Sequence, residues 1–151
     1  MKNKDQIILE NLYESISDDK FSYPLTVFHG TDLGSAKVIN QNGLDLSKCD
    51  RGYFGKAFYV TTDEELARSN YADFTGDEDG GTVLKFEMNP VNRVLDLRDS
   101  DDWDFYKQNN LEKYLGNDNL PNIMIRLGVD ALYDRSNDAF AVYNINILKI
   151  K

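Results

Sequence analysis

The chain has 151 residues, 41% of them apolar, and a formal net charge of −9 at pH 7, which allows one core and one domain spanning residues 1–151. No run of about 18 apolar residues is available for a membrane span. The lone Cys49 excludes an internal disulfide, no Cys/His cluster offers a zinc site, and the acidic balance disfavours a general binder of nucleic acid or anionic membrane.

Ile8, Leu9, Leu12, Tyr13 and Ile16 share a stripe over residues 5–18 and predict a helix within an N-terminal extension, residues 1–22. That start is amphipathic and contains acids, unlike a signal peptide, so the expected location is cytoplasmic. Pro24 separates the extension from Leu25-Thr26-Val27-Phe28, a buried strand running into the only histidine in Phe28-His29-Gly30-Thr31. From Asp32 to Gln41, Leu33, Ala36 and Ile39 keep helical spacing, and Gly43 suits a left-handed C-cap. Gly52 to Thr61 reads as a strand with Tyr59 near its end. Thr62-Asp63-Glu64-Glu65 then reads as a capping box for a helix carrying Leu66, Ala67 and Tyr71.

Asp73 to Gly81, with three glycines and four acids, has the composition of a mobile loop. Strands are expected over Thr82–Met88 and Arg93–Leu97, and a helix with an acidic start over Asp99–Leu115. The acids from Asp96 to Asp104 lack the ligand spacing and internal glycine of an EF-hand loop, so they read as a solvated helix start. Pro121 opens a short helix that Gly128 ends, and strands at Val129–Tyr133, Phe140–Tyr143 and Ile147–Ile150 close the chain. The order predicts a mixed α+β domain. Lys48, Arg51, Lys56 and Arg68 form a basic strip. They are either solvated surface charges or contacts for a phosphate-bearing ligand.

Three of these segments together resemble the ADP-ribosyltransferase fold, in its diphtheria-toxin and poly(ADP-ribose)-polymerase branch. His29-Gly30-Thr31 is similar to that family's His-Gly-Thr/Ser strand, with Asn42-Gly43-Leu44 following. Gly55-Lys56-Ala57-Phe58-Tyr59 is similar to its Gly-Lys-Gly-hydrophobic-Tyr strand, and Tyr71 follows on the next helix. Asp138-Ala139-Phe140-Ala141-Val142-Tyr143-Asn144 is similar to its late Asn-Glu-Tyr-x-Val-Tyr-Asp/Asn strand. The resemblance covers residues 25–150 and implies a split mixed β-sheet core with flanking helices. One departure stands out: Ala139 occupies the position of the family's glutamate. Asp138 is its neighbour and, on a strand, would face the other way.

The implied reaction breaks the bond between nicotinamide and C1 of its ribose in NAD, the substrate, with positive charge developing on the sugar. By resemblance, His29 hydrogen-bonds the adenosine ribose, the Gly30 backbone pairs with the carboxamide, and Thr31 adds a hydroxyl. Tyr59 and Tyr71 stack on the nicotinamide, with Ser69 near the carboxamide. A carboxylate at position 139 would complete the set. No metal is implied.

The resemblance therefore implies an NAD-dependent mono-ADP-ribosyltransferase of the bacterial toxin or effector type, of the toxin–antitoxin or phage-defence kind, inactivated at Ala139. Its acceptor would be a protein, RNA or DNA, and an antitoxin protein is an expected partner. The alternative is a non-catalytic NAD-binding or partner-binding module on the same fold. An RNA 2′-phosphotransferase fits less well, because that family uses a different histidine/arginine set and this chain has one histidine.

Overall fold

The computed structural model describes residues 21–49, 51–70 and 81–151. The helix expected over 5–18, Tyr71 and the segment 73–80 lie outside the described residues. In chain order the elements are β1 (Leu25–Asp32), α1 (Leu33–Asn42), β2 (Arg51–Gly52), β3 (Gly55–Lys56), β4 (Phe58–Val60) and α2 (Glu64–Asn70). Then come β5 (Gly81–Met88), β6 (Arg93–Asp96), α3 (Ser100–Gln108), α4 (Leu120–Arg126), β7 (Val129–Asp134), β8 (Ala139–Val142) and β9 (Leu148–Ile150). This is a mixed α+β architecture. No helix among the described residues is long and apolar enough to cross a membrane.

Two sheets carry the fold. β1, β5 and β9 form one in that order, entirely antiparallel. The other has the order β4–β8–β7–β6, antiparallel except for the β6–β7 pair. They meet at a single bridge, where Phe28 and Thr61 exchange both backbone hydrogen bonds at 2.7 and 2.9 Å.

The four-stranded sheet is buried on both faces, following the two-residue period of strands. Phe58, Val60, Ala131, Phe140 and Val142 join Val27, Phe86 and Met88 of the other sheet in one core. Their neighbours Ala57, Leu132, Ala141 and Tyr143 join Leu95, Leu111, Leu120 and Met124 in a second core under α3 and α4. Burial on both faces explains why these strands read as near-continuous apolar runs. Each fully buried large side chain, such as Phe140, contributes about 1.5–3 kcal/mol relative to exposure.

Local chemistry sets the helix ends. Asp32 caps α1 by accepting the Ser35 N–H at 2.7 Å and the Ser35 hydroxyl at 2.8 Å. Those bonds hold its carboxyl below the usual range. Gly43, at φ 80°, closes α1 by donating its N–H to Ile39 at 2.8 Å.

Three expectations are corrected. Thr62 does not cap α2: Asp63 does, accepting the N–H groups of Glu65 and Leu66 at 3.0 and 3.3 Å, while the Thr62 hydroxyl donates to Asp138. The helix over 99–115 stops at Gln108, because the chain turns at Asn110 (φ 55°) into a 3-10 turn over Leu111–Tyr114. Asn is one of the few residues that takes the left-handed region readily. Residues 52–61 are not one strand but the β2–β3 hairpin followed by β4, with Gly55 at φ 82° ending the turn.

Candidate active site

A cavity of about 1080 Å³ opens where β1, α1, the β2–β3 hairpin, β4 and the β7–β8 turn converge. His29, Gly30, Thr31, Tyr59 and Ala139 all contribute to its wall. The structure thus brings together one residue or more from each of the three sequence motifs. Ser69 sits in α2 and is not among the described residues lining this cavity. Tyr71 lies outside the described residues.

His29 is fixed by two contacts. Its Nδ1 lies 2.7 Å from the Tyr59 carbonyl oxygen, and its ring stacks on Phe58 with centroids 4.1 Å apart. A carbonyl can only accept, so Nδ1 carries the proton and Nε2 of the neutral ring is an acceptor. Burial pushes the His29 pKa below 6.5, opposed in part by the bond to Tyr59. The ring is therefore neutral at pH 7.

The bridge at Phe28 and Thr61 is isolated, and this decides what Gly30 can do. In an antiparallel ladder the N–H and C=O of residues i and i+2 point to the same side. The backbone groups of Gly30 therefore face the same way as those of Phe28, towards β4, where the ladder does not continue. A small crevice of about 10 Å³ lies there, lined by Phe28, Gly30, Tyr59, Val60 and Thr61. Gly30 thus presents a donor and an acceptor side by side in a gap between strands.

Tyr59 is clamped at its hydroxyl, which accepts the Phe54 N–H at 3.0 Å and donates to the Gly55 carbonyl at 2.6 Å. Gly52 lies against the ring. Tyr143, a core residue outside the cavity wall, reaches the same hairpin: fully buried, it donates to the Phe54 carbonyl at 2.9 Å. Burial pushes its hydroxyl well above 10.0, so it remains a donor. Its signal in the sequence was its place at the end of the third motif.

Ala139 opens β8 and is nearly buried, with its face on the cavity. Asp138 precedes it at φ 47°. Its carboxylate accepts hydroxyls from Thr61 at 3.2 Å, Thr62 at 2.7 Å and Tyr133 at 2.9 Å. Tyr133 belongs to the opposite core, packed on Phe140. Asp138 thus ties the β7–β8 turn to the start of α2 and is not part of the cavity wall. Burial, then the bond to Asp138, raises the Tyr133 pKa.

Of the basic strip, Lys48 lines the cavity. Cys49 also lines it and donates to the Asp45 carbonyl at 3.6 Å. Asp134 is a further wall residue, with no local motif to mark it in the sequence. No group of three or more His, Cys, Asp or Glu side chains among the described residues is disposed to hold a metal ion. No protein-family model matches the chain, and no curated protein is significantly similar to it in sequence.

Proposed function

We propose that the chain is an NAD-dependent mono-ADP-ribosyltransferase of the diphtheria-toxin and poly(ADP-ribose)-polymerase type, with a split-sheet ADP-ribosyltransferase core. The observation that carries this reading is the coupling of His29 to the Tyr59 carbonyl beside the edge of Gly30 where, among the described residues, the β1–β4 pairing stops. In one wall this supplies an acceptor for a ribose hydroxyl, a donor–acceptor pair for a carboxamide, and an aromatic ring held in place for stacking.

In the reaction NAD is the substrate. Gly30 and Tyr59 hold the nicotinamide end, His29 Nε2 accepts from an adenosine-ribose hydroxyl, and Lys48 offers charge to the pyrophosphate. Fixing the ring while the sugar is free to flatten favours cleavage of the C1–N bond. The electron pair leaves with nicotinamide and C1 bonds to the acceptor, a protein or a nucleic acid. A toxin or effector role, with an antitoxin partner, follows from the resemblance alone. The test is calorimetric titration with NAD of the wild type, His29→Ala and Tyr59→Ala. Binding by the parent that both substitutions abolish supports the reading; absence of binding by the parent overturns it.

A second reading, a non-catalytic NAD-binding or partner-binding module, is favoured by one observation. The wall position of the family's acid is Ala139, and neighbouring Asp138 is committed to three hydroxyls. Ala139→Glu separates the two. NAD cleavage faster than that of the parent supports the transferase, and NAD bound without cleavage by either protein supports the module.

A further inference from the structure

Resting on the transferase reading above, we propose that Asp134 supplies the carboxylate that position 139 lacks. Asp134 ends β7 and pairs directly with Ala139 across the antiparallel β7–β8 ladder. Directly opposed residues on such a pair put their side chains on the same face, with Cβ atoms about 4.5–5.5 Å apart. Both residues line the same cavity as His29 and Tyr59. The two-residue period agrees: Leu132 lies on the Ala141 and Tyr143 side of the sheet, and Asp134 is two residues on.

The small side chain at 139 leaves open the space that an acid there would fill, and the cross-strand neighbour borders that space. The carboxylate is also held in place. One oxygen accepts the Ser136 N–H at 3.1 Å, and the other accepts from the Asn137 amide at 2.6 Å. An ionised carboxylate has about four acceptor sites, so these two bonds leave capacity for a ribose hydroxyl. A fixed negative group beside a sugar that becomes positively charged is the element that oxocarbenium chemistry needs.

Asp134 then acts as a catalytic residue, contacting the nicotinamide ribose and stabilising C1 as the C1–N bond breaks. With water as acceptor, its oxygen bonds to C1 and nicotinamide leaves with the electron pair. The water's proton passes through the carboxylate to solvent, so that NAD and water give ADP-ribose, nicotinamide and a proton.

The test measures NAD binding by calorimetry and nicotinamide release by chromatography for the wild type, Asp134→Asn and the Asp134→Asn/Ala139→Glu double variant. The wild type should bind NAD and release nicotinamide. Asp134→Asn should release it about 10²–10³-fold more slowly, the range for removing one preorganised electrostatic group, with Kd changed less than about threefold. The double variant should recover at least about tenfold of that loss, because the acid returns on the facing strand. If Asp134→Asn does not fold, Asp134→Ser replaces it, since a serine hydroxyl can still accept the Ser136 N–H.

An unchanged release rate in Asp134→Asn overturns the role of Asp134 and leaves the transferase reading standing. Wild type that binds NAD without releasing nicotinamide also overturns the role of Asp134, and Ala139→Glu then separates the transferase from the module. Wild type that does not bind NAD overturns both.

Discussion

Gly52 lies so close to the ring of Tyr59 that a Cβ on residue 52 would overlap the ring at Cζ, Cε2 and the hydroxyl oxygen. The hairpin therefore sets the position of the tyrosine through a glycine rather than through a side chain. The hydroxyl bonds to Phe54 and Gly55 complete the clamp. Gly52→Ala must push the ring or the hairpin aside. Overpacking of this kind costs about 1–3 kcal/mol, so urea denaturation should show a loss in that range. NAD affinity should fall with it, because the displaced ring is the proposed stacking surface. An alanine variant with parental stability and affinity would show that the hairpin yields freely.

His29 makes the protein sensitive to mild acid. Its folded pKa lies below 6.5, chiefly through burial. As pH falls through about 6.5, the unfolded chain takes up a proton that the folded ring refuses, so stability declines. The decline has a slope of at most about 1.4 kcal/mol per pH unit from this group and levels off below the folded pKa. His29→Gln should remove that component between pH 7.5 and 5.5, measured as the difference between the two denaturation profiles. NAD affinity should hold above pH 6.5 and weaken once Nε2 is protonated and can no longer accept. A parent profile identical to that of His29→Gln would contradict the assignment.

Asp138 is predicted to matter for stability. Asp138→Ala leaves three hydroxyl donors without their acceptor and forces alanine into a left-handed conformation at φ 47°. Loss of hydrogen bonds to a charged group together with that strain should destabilise by about 2–4 kcal/mol. Asp138→Asn keeps one oxygen acceptor and tolerates the conformation, so it should lose roughly half as much. Comparison of urea midpoints at constant slope decides the matter. Equal losses in the two variants would mean that charge, not backbone conformation, dominates.

The sequence displayed the strands well because two-faced burial leaves a strong apolar signal: Phe58-Tyr59-Val60 and Phe140-Ala141-Val142 both read directly. It displayed the site less completely. His29 and Gly30 are legible as a motif, but the bond from His29 to the Tyr59 backbone joins residues thirty positions apart and has no local signal. The hairpin at 52–56 is hidden inside an aromatic run, since its turn depends on Gly55 taking a positive φ rather than on a polar turn sequence. Asp134 was invisible for a different reason. Its relation to Ala139 is a matter of ladder register, which the two strands fix only when the turn between them is known.

The turn that presents Asp134 is anchored to β6 by Arg135, and this anchor can be tested separately. The Arg135 guanidinium meets Asp96 Oδ2 at 2.6 Å through Nη2 and 3.2 Å through Nε. Asp96 is nearly buried, its side chain 3% exposed, while that of Arg135 is 25% exposed. Removing the cation leaves a buried carboxylate, which costs roughly 3–5 kcal/mol when both partners are fully buried. Partial exposure of the arginine places Arg135→Met at about 2–3 kcal/mol. Asp96→Asn in the same background should return part of that loss, because the buried charge is gone and Asn can still accept the Arg98 N–H that Asp96 Oδ1 now receives at 3.0 Å. A double-mutant cycle by denaturation measures the coupling directly. A coupling near zero would mean that the β7–β8 turn holds its shape without Arg135, leaving the Asp134 bonds to Ser136 and Asn137 and the Asp138 bonds to three hydroxyls to fix it.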